Sequence, residues 1–139
     1  MDGDYIMEFL SFTLEEKFFG IPLENVKEIV EETEITPVPL SGNYLEGVMN
    51  LRGEPITVIN LRKKIGLKGK SASREIILCL INGMLIGLRP DQVLDIHEIP
   101  DSEIKNVPSS LKGEIESKYM KGIVKLKEKY IIIDIKELI

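Results

Sequence analysis

The chain has 139 residues, 18 Lys and Arg against 23 Asp and Glu, and a hydrophobic share of 43%. That length suits one domain able to bury most of its apolar surface without a metal or disulfide staple, and the composition is that of a folded chain. A net charge of −5 supplies no global positive field for phosphate backbones, which argues against nucleic acid as a main partner.

In chain order, Met1-Asp2-Gly3-Asp4-Tyr5 lacks the cationic start and apolar core of a signal peptide. No apolar run approaches the roughly 20 residues that span a bilayer, so a cytoplasmic location without membrane insertion is expected. Glu8-Phe9-Leu10-Ser11-Phe12-Thr13-Leu14 alternates as a strand, Glu15-Glu16 turns, and Lys17-Phe18-Phe19-Gly20-Ile21 returns as the second arm of a hairpin. A helical turn at Glu24-Asn25 leads into a strand at Val26-Lys27-Glu28-Ile29-Val30, and Pro37-Val38-Pro39 stops further pairing. Gly47-Val48-Met49-Asn50-Leu51 and Ile56-Thr57-Val58-Ile59-Asn60-Leu61 form a second hairpin around the turn Arg52-Gly53-Glu54-Pro55, where Gly53 can take positive φ. A short helix at 61–65 and a Gly/Lys/Ser linker precede a third hairpin, 76–81 with 84–88, across Asn82-Gly83.

The inventory of reactive groups is thin. Cys79, the single cysteine, lies inside an apolar strand and reads as a buried structural thiol in a reducing compartment. His97, the single histidine, sits in Asp95-Ile96-His97-Glu98-Ile99, whose alternation reads as a solvated strand face. No metal site, cofactor or phosphate-cradling glycine loop is expected. Glu15-Glu16 and Glu31-Glu32-Thr33-Glu34 are charge runs that ordinarily solvate a surface, so no catalytic residue is assigned.

The second half repeats the first. Phe19-Gly20-Ile21 followed by Pro22, Asn25, Val26 and Ile29 returns as Ile86-Gly87-Leu88 followed by Pro90, Gln92, Val93 and Ile96. Ile35-Thr36-Pro37-Val38-Pro39 returns as Ile104-Lys105-Asn106-Val107-Pro108, and Tyr44-Leu45-Glu46-Gly47-Val48-Met49-Asn50-Leu51 as Tyr119-Met120-Lys121-Gly122-Ile123-Val124-Lys125-Leu126. The strand at 55–61 is answered by 130–135, with Asp134 in the place of Asn60, and a loop around 109–117 accounts for a longer spacing. Such an order implies duplicated subdomains that share one core, each too small to be stable alone, with a groove at their junction. A mainly β body of this kind, without chemistry, is most economically a binding module.

The stretch Tyr44 to Arg62, Tyr-Leu-Glu-Gly-Val-Met-Asn-Leu-Arg-Gly-Glu-Pro-Ile-Thr-Val-Ile-Asn-Leu-Arg, resembles the signature of the CheW-like domain family. The resemblance extends through Phe9-Leu10-Ser11-Phe12, Phe19-Gly20-Ile21-Pro22, Asp91-Gln92-Val93 and residues 119–138. It implies two SH3-like five-stranded β-barrels around a shared core, with short helices, in a single domain over 1–139 whose approximate halves are 15–80 and 81–139 plus the N-terminal strand. It further implies a non-enzymatic adaptor between the tips of chemoreceptors and the histidine kinase CheA, monomeric when free. Arg89-Pro90 departs from the apolar residues that many relatives carry there.

By the same resemblance Val26, Glu28 and Arg52 are receptor-binding, with Val26 and Glu28 expected on one face of their strand. Gly53 is a structural turn residue that presents Arg52. Arg suits the task because its fixed fork bonds carboxylates or carbonyls and its charge does not vary with pH, although a solvated turn residue has the same local pattern. Leu10 and Leu23 read as core by composition, while the resemblance implies an apolar patch near them for the regulatory domain of CheA. A regulatory module of a larger signalling protein, or an SH3-like peptide-binding module, remain the alternatives.

Overall fold

The computed structural model describes residues 5–38, 44–109 and 115–139. Pro39 of the proline stop, Met1 to Asp4, and residues 110–114 of the inserted loop lie outside the described residues.

Among the described residues the strands are β1 (Ile6–Leu14), β2 (Lys17–Pro22), β3 (Val26–Glu31), β4 (Ile35–Thr36), β5 (Leu45–Leu51), β6 (Glu54–Asn60), β7 (Glu75–Ile81), β8 (Met84–Arg89), β9 (Gln92–Pro100), β10 (Met120–Lys125) and β11 (Lys129–Ile133), with one short α-helix, α1 (Leu61–Lys64). The three expected hairpins are present. Asn82 and Gly83 hold φ of 50° and 81°, the left-handed pair that a two-residue hairpin requires. The β5–β6 turn is tighter than expected: Leu51 pairs with Glu54, so only Arg52 (φ 50°) and Gly53 (φ 86°) lie between the strands. Asn50 completes it by accepting the Gly53 N–H at 3.0 Å on its side-chain oxygen.

Two sheets form, in the orders β10-β11-β2-β1-β9 and β3-β7-β8-β6-β5-β4. They carry the same plan: β1–β2 corresponds to β7–β8, β10–β11 to β5–β6, and β9 to β3, with parallel pairing of β11 on β2 and of β6 on β8. Their hydrogen-bonded orders are linear, so these SH3-like subdomains are not closed barrels, and β4 makes the second sheet six-stranded. Sheet membership changes along the chain between β2 and β3 and again between β8 and β9. Each crossover strand leaves the sheet of the hairpin before it and completes the other sheet.

Among the described residues the interior has three apolar clusters, one inside each sheet and one between them. Phe9, Ile99, Val124, Tyr130 and Ile132 fill the first sheet, and Met49, Ile56, Val58, Ile76 and Leu78 the second. The largest, including Leu10, Phe12, Phe19, Ile21, Ile77, Cys79, Ile86 and Leu88, draws on both sheets. Central strands therefore bury both faces, which is why β7 reads as a near-continuous apolar run and why Phe9, Leu10, Ser11 and Phe12 of β1 are all buried despite its alternation. Cys79 is fully buried, and burial pushes its thiol up to about 12.

His97 corrects the expectation of a solvated histidine. It is half-buried, stacks on Phe9 with ring centroids 4.8 Å apart, and lies 4.9 Å from the ring of Tyr130. Its Nε2 is 3.0 Å from Ser11 Oγ, which also accepts the Asp95 N–H. Burial, then the Glu128 and Asp95 carboxylates, push the Tyr130 hydroxyl above its usual range.

Candidate docking site

The resemblance implies partner contacts on two strands and two turns, and the structure treats them differently. β3 is an edge strand, and a bulge at Lys27 interrupts its pairing with β7, where Val26 faces Cys79 and Glu28 faces Leu78. The extra residue turns Val26 towards the cluster between the sheets and Glu28 towards the interior of the second sheet. The expectation that both share one face is therefore wrong: it counted residues in an unbroken strand. On an edge strand, however, both faces border the same open rim.

Arg52 reaches back across its sheet. Although three strands separate β3 from β5 in the ladder, the Arg52 guanidinium donates to the Glu28 carboxylate. The sheet must curl for this contact, and Thr33 Oγ1 donating to the Asn50 carbonyl at 3.1 Å follows the same line. Lys27, Glu28, Arg52 and Glu54 rim a recess of about 140 Å³ that is floored by Leu51, Ile56, Leu78 and Leu85. Arg52 and Glu28 remain 67% and 38% exposed, so their pair contributes little to stability and can exchange for an outside partner. Gly53 has open space around its Cβ direction, and its positive φ accounts for glycine there.

Leu10 does not belong to a surface patch. It lies on β1 between Ile21 of β2 and Ile96 of β9, is 4% exposed, and packs in the shared core. Leu23, in the short 3-10 turn between β2 and β3, is half-buried against that core and keeps an accessible side.

Two arginine clusters escaped the sequence reading. Arg62 of α1 makes a two-pronged contact with Asp91, at 3.0 Å from Nε and 2.5 Å from Nη2, beside the Glu15 N–H that donates to the same carboxylate. Burial opposes ionisation of Asp91, but these donors outweigh it and hold the carboxyl below its usual range. Arg89, buried at the end of β8, donates to Glu46 of β5 at 2.9 to 3.1 Å, and also to Glu32 and the Ser73 carbonyl. The departure at Arg89-Pro90 was the available signal, since an arginine at the inward end of an apolar strand needs carboxylates. Among the described residues no three His, Cys, Asp or Glu side chains are grouped to hold a metal ion, and no helix is long and apolar enough to cross a membrane.

The geometry is one of ion pairs around an apolar recess, and comparison with known proteins gives its family. The family model of the CheW-like domain matches residues 8–139, and the chain belongs to that family. "Chemotaxis protein CheW" of Thermotoga maritima is 34% identical over 141 residues, spanning 99% of this chain and 91% of that protein. The protein of the same name from Helicobacter pylori is 30% identical over 95% of this chain and 80% of its own length. The crystal structure of the scaffolding protein TtCheW from Thermoanaerobacter tengcongensis superposes with a TM-score of 0.86 at 30% identity, over 99% of this chain and 90% of that one. The chain is thus a scaffold of the chemotaxis-signalling class and not an enzyme.

Proposed function

We propose that this scaffold couples chemoreceptor signalling tips to the histidine kinase CheA in the cytoplasm and supports assembly of receptor arrays. The observation that carries the reading is the Arg52–Glu28 pair set over an apolar recess at an edge strand. A helical receptor hairpin laid along that edge would offer Arg52 carboxylates or carbonyls, seat apolar side chains near Leu51 and Leu85, and reach Val26 on the other face of the bulge. Leu23 is the remaining candidate for the kinase side, since Leu10 is interior. Holding two partners together raises the effective concentration of each for the other, and no turnover is involved. The free chain is expected to be a monomer.

Binding to purified receptor-tip fragments and to the CheA regulatory domain, each alone and then together, tests the reading. Simultaneous occupancy supports it, and binding to neither overturns it.

A further inference from the structure

β3 and β4 are the edges of the second sheet, and no backbone ladder spans the opening between β3 and the β4–β5 pair. Besides the Thr33–Asn50 hydrogen bond, ion pairs span it at two places, and the two differ in kind. At one, Arg52 and Glu28 meet in solvent. At the other, Arg89 is 4% exposed and grips Glu46 of β5, itself 5% exposed, together with Glu32 one residue beyond β3. Leu85, Gly87 and Arg89 alternate onto the inner side of β8, where Leu85 packs on the interior cluster and a Cβ on Gly87 would meet Ile76 and Val58. The same interior therefore ends in the recess under Arg52 at the Leu85 end and in the Arg89 cluster at the other.

An exposed ion pair is screened and exchangeable, whereas a buried guanidinium with forked carboxylates cannot be opened without stranding charge. We infer that Arg89 is a positioning residue of the docking site: by locking Glu32 to Glu46 it sets the spacing of β3 from β5, and hence how Glu28 and Arg52 face a partner. The inference rests on the receptor-binding reading above. Lysine could not replace Arg89, because a single ammonium lacks the planar fork that serves Glu46 and Glu32 at once. Lys70, 3.5 Å from Glu46 and mostly exposed, balances the second carboxylate without joining the two strands.

Spin labels on cysteines introduced at Lys27 and Glu54 read the gap, since buried Cys79 takes no label in the folded chain. Unlabelled proteins give the affinities for a receptor-tip fragment and for the CheA regulatory domain. Arg89→Met should broaden the label distances and weaken receptor binding about tenfold, because a displaced contact pair loses its preorganisation. Kinase binding should hold, and Arg89→Lys should restore the receptor contact only in part. Glu32→Gln keeps the Arg89–Glu46 contact, and so the fold, and should shift both readouts in the same direction by less. Wild-type distances in a folded Arg89→Met or Glu32→Gln chain overturn the inference, as do altered distances with wild-type receptor affinity. A wild-type chain that binds no receptor fragment sinks the docking reading instead, while the label distances still decide whether Arg89 sets the gap.

Discussion

Gly20 and Phe9 approach each other so closely across β1 and β2 that a Cβ on Gly20 would stand 2.4 Å from Phe9 Cδ2. Phe9 is fully buried, with His97 stacked on it and Tyr130 against its edge, so the ring has no free volume to move into. Gly20→Ala should cost about 1 to 3 kcal/mol by overpacking. Gly87→Ala, meeting Ile76 Cγ2 at 2.8 Å in the corresponding place, should show the same sign with a smaller size. Urea unfolding measures both, and a neutral Gly20→Ala would contradict this account of the first sheet's interior.

Arg52→Ala should separate binding from folding. The side chain is 67% exposed and paired only across solvent, so stability should change by less than about 0.5 kcal/mol. Loss of a charge-assisted contact should weaken receptor binding by roughly ten- to hundredfold, with kinase binding retained. Calorimetric titration against each partner, beside a melting curve, distinguishes this from a structural role, which would lower both affinities and the melting temperature together.

The Asp91 contact predicts a specific acid sensitivity. A carboxyl held below its unfolded value stabilises the fold above about pH 4, and that contribution disappears as pH falls through the lower folded value. Asp91→Asn should therefore be less stable than wild type at neutral pH and lose less on going to pH 3. Urea midpoints at the two pH values check the sign, and parallel losses in the two proteins would show that Asp91 is not the group responsible.

Cys79 should be inert while the chain is folded. With its thiol pushed up to about 12 by burial, almost no thiolate exists at neutral pH, so a disulfide-exchange reagent should react only on unfolding. The sign in alkali follows as well. The stabilising contribution is complete below the unfolded thiol's value, about pH 8.5, and is lost as pH rises towards the folded one. Native-state labelling kinetics at several urea concentrations test this, and prompt labelling without denaturant would refute it.

Local chemistry was legible and long-range assembly was not. Gly53 and Asn82-Gly83 announce their turns because positive φ favours those residues, whereas Glu15 and Glu16 hold φ of 51° and 66° without any glycine and mark their turn only by charge between two apolar runs. The duplicated pattern exposes the shared topology, yet which sheet β3 and β9 join depends on pairings many tens of residues apart. His97 was misjudged for the same reason: alternation reports a face, and the rings that cover this face come from β1 and β11. At the candidate docking site, the resemblance points to Arg52 and Glu28, but the bulge that parts Val26 from Glu28 leaves no local mark. Arg89 finds its carboxylates 43 and 57 residues away.

The parallel seam of β11 on β2, where Tyr130 faces Phe18 and Ile132 faces Gly20, bears on how the chain is made. During synthesis the first hairpin emerges before β3 and its neighbour on that side only after β10. Until β11 has been made, the apolar edge of β2 waits without a partner, while the second sheet, built from the consecutive elements β3 to β8, can already assemble. Folding is thus split by chain order into an early, local stage that forms the second sheet and a later stage that waits for β11. A product cut short before β11 would carry a formed second sheet and an unpaired, aggregation-prone hairpin, so the two sheets of this scaffold mature at different times.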